Sequence, residues 1–449
     1  MDNFKNNSTN DLKHWQVRIF STVWITYFAY YLCRYNMPMV SKEMSNAFLW
    51  DKSQIGIIFS ALLLMYAVGQ FVNGQLADRF GSRLIASLGI VGSVSMNIAV
   101  FLVTLLMSPE NTNPRTILLL VVIFWGANGF FQSMGWTPMV RIMVHWFSSE
   151  NRGKVMGFMG TCYQFGAAFS WFLAFFIVTY YAEKMGGDWR VAFLVPAGLF
   201  AIVGVIFFVF IRNAPEDVGL PAVEADDHSE IGLVGKSQPT IVQNIARTLK
   251  NPYIWIVAST FFLLDMNRYG FVNWLPQFLS ESAESMGVGG FGFKEVMKRI
   301  IHPLAGSAGA ISAGWATDRF FKGRRAPVIA LLLILLGISS IIFPYLDQSN
   351  SGLVIFVIAV IGFCTYGPHI LMVGHAAQDF GKKSGAAGAA GFIDGMGYIG
   401  ASLAGWGAGE LIDRCGHAYT FVLSGLAAIL GALLVCLIWK AGPKTRTFD

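Results

Sequence analysis

Twelve apolar runs of about twenty residues each, separated by charged or Pro/Gly breaks, constrain this chain more than any other feature. They fall near 17–40, 53–77, 84–107, 116–146, 153–181 and 190–212, then near 252–280, 293–317, 326–345, 352–378, 385–411 and 416–440. A helix needs about 20 such residues to cross a bilayer core. The strands of a membrane barrel would alternate over about ten residues; these runs are twice as long, so they predict helices. Composition excludes a soluble domain. Only 13% of residues are charged, against about 25% in soluble domains. The 48 glycines suit close approach of helices in lipid.

The expected fold is an all-α integral membrane protein with twelve transmembrane helices in two six-helix repeats. The long polar stretch, from Asn213 to Asn251, carries Glu224, Asp226, Asp227, His228 and Lys236. It divides the chain into a first half (1–212), a linker (213–251) and a second half (252–449). The short polar N-terminus does not resemble a cleavable signal. Basic residues gather after helix two (Arg79, Arg83), helix four (Arg152, Lys154), helix eight (Arg319, Lys322, Arg324, Arg325) and helix ten (Lys382, Lys383), and in the tail (Lys440, Lys444, Arg446). By the positive-inside rule both termini and the linker are cytoplasmic.

The halves resemble each other. Gly74-x-x-x-Asp78-Arg79 returns as Gly314-x-x-x-Asp318-Arg319, Pro138 with His145 returns as Pro368 with His375, and Arg34 returns as Arg268, all at offsets of 230 to 240 residues. Their common offset predicts duplication, a recurrent feature of transporters.

Two constellations carry chemistry. Gly74-x-x-x-Asp78-Arg79-x-Gly81-x-Arg83 resembles the loop motif of the major facilitator superfamily. A carboxylate at a helix end can pair with a neighbouring arginine and lock one side shut. Arg141 on helix four is the expected partner of Asp78, with Asp318 and Arg319 the counterparts in the second half; the alternative is a topogenic loop without a gating role. The second constellation is the arginine pair. An arginine facing lipid costs roughly 2.5–3.5 kcal/mol on insertion scales, so Arg34 must face water, a countercharge or a ligand. Two arginines at matching repeat positions suit a phosphate dianion, because guanidinium forks bind phosphate oxygens bidentately. The alternative is neutralisation, for which Asp265, three residues before Arg268, is placed on the same face.

Tyr27-x-x-x-Tyr31-x-x-Arg34, Arg268-Tyr269-Gly270, Phe131-Gln132-x-x-Gly135-Trp136-x-Pro138 and Tyr366-Gly367-Pro368 are similar to the organophosphate:phosphate antiporter family. The resemblance implies exchange of an organophosphate (glycerol-3-phosphate or a sugar phosphate) for inorganic phosphate across a bacterial inner membrane, by a monomer with no cofactor, metal or nucleic-acid partner. It implies substrate binding by Arg34 and Arg268, with Tyr27, Tyr31, Tyr366 and Tyr398 lining the site. It also marks departures. Tyr35 and Gln70 stand where the family has lysine, Tyr163 where it has histidine, Asp265 where it has tyrosine, and Pro303, beside His302, near a family glutamate. Asp265, Asn267 and Gln164 are further candidates to meet substrate hydroxyls. Lys298 and Arg299 are expected to snorkel at an interface or to attract anions, and Asp394 to face the cavity.

A sensor of external sugar phosphate is the competing class. An enzyme is not expected, since no side-chain arrangement for catalysis is present. The five scattered cysteines suggest neither disulfides nor zinc, and the absence of a P-loop leaves ATP-driven transport without support.

Overall fold

The computed structural model describes residues 2–223, 250–287, 290–376 and 382–440. The side chains of Asp78, Arg152, Lys154, His375, Lys382 and Lys383, and the linker residues Glu224, Asp226, Asp227, His228 and Lys236, lie outside the described residues. Among the described residues there is no strand.

Among the described residues, twelve helical rods follow the expected order. The first half holds α1 (Asp2–Tyr30, resuming as Met37–Phe48), α2 (Lys52–Phe80), α3 (Ser82–Leu106), α4 (Pro114–Gln132, resuming as Trp136–Trp146), α5 (Ser149–Met159 and Thr161–Phe175, then a π-helical stretch Phe176–Ala182) and α6 (Val191–Phe210). The second half holds α7 (Pro252–Ser285), α8 (Phe293–Phe321), α9 (Ala326–Ile342), α10 (Ser351–Ile370, then a π-helical stretch Leu371–Ala376), α11 (Lys382–Cys415) and α12 (His417–Cys436).

Local chemistry sets the boundaries. Asp51 caps α2 by accepting from the Gln54 amide, while the Gln54 side chain accepts from the Asp51 amide, a reciprocal capping box. Asn113 and Asn251 cap α4 and α7, each followed by a proline whose missing N–H is not needed there. Gly416, at φ +89°, turns the chain between α11 and α12. Two interruptions matter most. α1 breaks through a 3-10 turn at Tyr31–Cys33, just before Pro38, which has no amide to give. α4 breaks just before Pro138, whose ring would clash with the carbonyl four residues back.

Packing repeats between the halves. α2 lies on α4 as α8 lies on α10; α3 lies on α6 as α9 lies on α12; α1 touches α5 and α6 as α7 touches α11 and α12. The halves meet where α2 packs on α11, α5 on α8, and the resumed part of α1 on α7. Exchanging the halves turns the α2–α11 contact into the α8–α5 contact, so the arrangement has an approximate two-fold axis. Even fine contacts recur. A β-carbon on Gly129 of α4 would strike the Leu62 carbonyl of α2, and one on Gly362 of α10 would strike the His302 carbonyl of α8.

Among the described residues, eight rods are long and apolar enough to cross a membrane on their own. The four that are not, α1, α7, α8 and α11, carry Arg34, Arg268, His302 and Asp394. A rod of mixed polarity keeps its polar groups from lipid only if its polar side faces inward, so each of these four turns that side to the centre.

One end of the bundle is tied across the halves. Asp413 of α11 accepts from the amides of Lys52 (3.0 Å) and Ser53 (2.7 Å) at the start of α2. Lys52 Nζ lies 2.5 Å from Glu281 of α7, whose other oxygen meets His417 Nε2 at 3.0 Å. Lys42 pairs with Glu284 at 2.6 Å. A turn or two deeper, Ser60 donates to the Ser402 carbonyl, and a β-carbon on Gly56 would come within 2.5 Å of the Gly405 carbonyl oxygen.

Candidate substrate site

The break in α1 builds the first half of the site. Interrupting a helix frees carbonyls, and buried carbonyls must find donors. The Cys33 carbonyl accepts from Asn97 of α3 (3.2 Å) and Asn128 of α4 (2.9 Å), and the Tyr30 carbonyl from Gln132 of α4 (3.1 Å). Gln132 also donates to Ser93 at 2.7 Å. With its amide nitrogen committed on both sides, its oxygen is aimed at Arg34, whose Nε donates to it at 3.1 Å. The guanidinium then lies over the rings of Tyr66 (4.4 Å) and Tyr31 (4.9 Å). Arg34 is 5% exposed, and its Nη2 has no partner.

Arg268 is presented by the unbroken α7. It is 4% exposed and lies over Tyr269 (4.9 Å) and Tyr366 (5.0 Å). Its Nη1 reaches Asp265 Oδ1 at 3.4 Å and His369 Nε2 at 2.9 Å. Arginine only donates, so His369 accepts there and is neutral, with its proton on Nδ1. The Arg268 Nε has no partner. The pair with Asp265, the alternative to anion binding, is therefore present, as a long ion pair at 3.4 Å. The two arginines belong to one region: Tyr31 and Tyr269 each lie within electrostatic reach of both guanidiniums.

The other expected site residues surround this pair. Tyr27 packs on Tyr31 and on Trp136 of α4, and Tyr163 of α5 lies 6.1 Å, ring to ring, from Tyr31. Tyr398 of α11 packs against Tyr66 with ring centroids 4.6 Å apart, bridging the halves. Asp394, half-buried on α11, is within electrostatic reach of both arginines and of Asp265.

Three expectations are revised. Asn267 turns away from the site, donating to Ser340 of α9 at 3.0 Å. A residue next to Arg268 on a helix points about 100° away from it. Lys298 and Arg299 do not snorkel. Both are buried and bound to Glu295 (2.7 and 3.1 Å), with Arg299 capping the Phe175 ring of α5 at 3.8 Å. Of the gating residues, Arg141 is half-buried on the second segment of α4, whereas Arg79, Asp318 and Arg319 are exposed at their helix ends. Sequence reasoning missed Tyr66, Tyr269 and His369 as neighbours of the arginines. His369 carried a signal, lying three residues after Tyr366 and therefore on its face.

Twelve helices in two repeated halves around a buried cationic centre define a polytopic membrane transporter fold. The chain belongs to the major facilitator superfamily, whose family model matches residues 23–405, a family of transporters and not of enzymes. Similar proteins include a probable hexose phosphate transport protein of Chlamydia pneumoniae (28% identity over 96% of this chain and 93% of the relative) and the glycerol-3-phosphate transporter of Bacillus subtilis strain 168 (29%, 97% and 94%). The membrane sensor protein UhpC of Escherichia coli K12 is also similar (26%, 94% and 92%). These relatives agree with the resemblance to the organophosphate:phosphate antiporters. Among solved structures, a bacterial homologue of the human lysosomal transporter Spinster in an inward-facing, occupied conformation shares the fold, with a TM-score of 0.70 at 14% identity over 97% of this chain and 99% of that one.

Proposed function

We propose that this protein exchanges an organophosphate, a sugar phosphate or glycerol-3-phosphate, for inorganic phosphate across a bacterial inner membrane by alternating access. The observation that carries the reading is a pair of buried arginines, one from each half, each keeping a nitrogen without a partner. Among the described residues Arg34 has no ion pair and Arg268 only a long one. Buried charges left without partners are costly. A phosphate dianion supplies two negative charges and the acceptors that both forks lack.

Tyr27, Tyr31, Tyr163, Tyr366 and Tyr398 line the site with Asp265 beside it. The halves 1–212 and 252–449 rock about the site, joined by the linker 213–251. Orientation by the positive-inside rule puts both termini in the cytoplasm, so the end tied by Lys52, Glu281 and Asp413 is the outer one. Asp78, Arg79 and Arg141, with Asp318 and Arg319, close the inner side in the opposite state. A monomer suffices, because one chain supplies both arginines.

The sensor reading is favoured by the likeness to UhpC. Proteoliposomes loaded with phosphate separate the two. Uptake of labelled glucose-6-phosphate or glycerol-3-phosphate that depends on internal phosphate is expected. Saturable binding of either compound without uptake would favour the sensor. Neither binding nor uptake of any organophosphate would remove the proposal.

A further inference from the structure

Between the two arginines runs a continuous path of rings that phosphate binding does not explain. From Arg34 it passes over Tyr31 to Tyr35 (centroids 5.0 Å apart), to Trp171 of α5 (6.2 Å), to His302 of α8 (6.2 Å), to Tyr366 of α10 (5.8 Å), and so to Arg268. The path crosses from one half to the other at the α5–α8 contact. All four residues between Tyr31 and Tyr366's partner Arg268 are buried.

Their polar atoms are unusual. Tyr35 Oη, Trp171 Nε1 and both ring nitrogens of His302 are buried without a hydrogen-bond partner. Two turns before Trp171, on the same face of α5, the side chain of buried Gln164 meets only the neighbouring Tyr163 hydroxyl, with neither amide atom in a well-formed hydrogen bond. A folded protein satisfies nearly all buried polar groups, so several orphans in one place call for a missing partner. These atoms are closed off in this conformation, so a ligand reaches them only when the α5–α8 contact parts. A sugar ring suits such a row: its C–H faces lie on aromatic rings and its hydroxyls both donate and accept.

The class of ligand narrows further. Asp265 and Asp394 stand on the second-half side of the arginines. A phosphorylated hydroxy acid would bring a further carboxylate beside Asp265, already in an ion pair with Arg268, and like charges in a site of low polarity repel. A neutral polyol meets no such opposition.

We infer that His302, Gln164, Tyr35 and Trp171 form a subsite for the carbohydrate portion of the substrate, which selects a phosphorylated sugar ring over shorter or carboxylated phosphates. This rests on the phosphate-binding reading of Arg34 and Arg268. A site built to hydrogen-bond a hydroxyl rejects an analogue that lacks it, because its own groups are then left unpaired.

The test is competition by glucose-6-phosphate, glycerol-3-phosphate and 3-phosphoglycerate against labelled phosphate, on purified protein reconstituted in vesicles. In the native protein, glucose-6-phosphate is expected to compete at the lowest concentration and 3-phosphoglycerate at the highest. In His302→Phe and Gln164→Leu, the concentration of glucose-6-phosphate needed should rise at least tenfold relative to that of glycerol-3-phosphate. His302→Asn, which keeps a donor and an acceptor, should recover part of the preference. Thermal melting of each variant in detergent reports its folding independently. An unchanged ratio in both well-folded variants overturns the subsite. So does a native preference for 3-phosphoglycerate. If labelled phosphate itself fails to bind the native protein, it is the phosphate-binding reading that fails, and this outcome is distinct from the other two.

Discussion

At the scale of single residues, the site depends on how Arg34 is held as much as on its charge. Gln132 is fixed by its two donated hydrogen bonds to the Tyr30 carbonyl and Ser93, and it orients the guanidinium by accepting from Nε. Gln132→Leu leaves the charge and removes the orientation. A hydrogen bond to a charged group is worth about 1.5–3 kcal/mol, so phosphate affinity should fall by roughly 10- to 100-fold, measured by equilibrium binding. An affinity within a factor of two of the native value would show that Gln132 does not position the fork. The two arginines were legible from sequence because charge in an apolar helix demands a reason. The role of Gln132 was not, because it follows from carbonyls released by a break in another helix. Lys298 and Arg299 were misread for a simpler reason: Glu295, three and four residues before them, already stood in the register for pairing.

At the scale of helices, the tied end is the element most open to test. Glu281 joins Lys52 of the first half to His417 of the second, and Asp413 holds the start of α2 through two backbone amides. These groups are partly exposed, so each pair contributes only about 1 kcal/mol or less. Even so, an equilibrium between two states moves by about fivefold for 1 kcal/mol. Glu281→Gln should increase the population open at this end. Spin labels at the exposed positions Asn46 and Ser285 would report it as a longer distance, in a background where the exposed Cys415 and Cys436 are replaced by serine. An unchanged distance distribution would mean that the helix contacts, such as Gly56 against Gly405, hold this end shut without the ion pairs. The twelve helices were readable from their apolar runs, since hydrophobic length decides what crosses a bilayer. The breaks in α1 and α4 were less so: Pro38 and Pro138 announce a disturbance, but whether a proline kinks a helix or interrupts it depends on the neighbours that satisfy the freed carbonyls.

At the scale of the whole molecule, the repeat explains why the centre can carry charge. Each half brings one arginine, and the two-fold arrangement of α2 with α11 and α5 with α8 brings them to a common region. Repetition was visible in the common offset of the matched motifs, and the contacts between helices follow the same symmetry. What the repeat could not announce is where it fails. Arg34 leans on Gln132 and Tyr66, whereas Arg268 meets Asp265 and His369. The two halves grip one ligand with different hands, which suits a substrate with a symmetric phosphate at one end and an asymmetric organic part at the other. The ligand drives exchange only if it binds the closed arrangement better than the open ones, because differential affinity is all that moves such an equilibrium.

The central claim is that Arg34 and Arg268 hold one phosphate together, and equilibrium binding of labelled phosphate to Arg34→Lys, Arg268→Lys and the double variant tests it most directly. Lysine keeps the charge and loses the fork. Each single variant is predicted to bind at least tenfold more weakly, and the double variant to lose less than the two single losses combined, because groups that share one ligand are coupled. Near-native phosphate binding by Arg34→Lys, or losses in the double variant that simply add, would contradict the account.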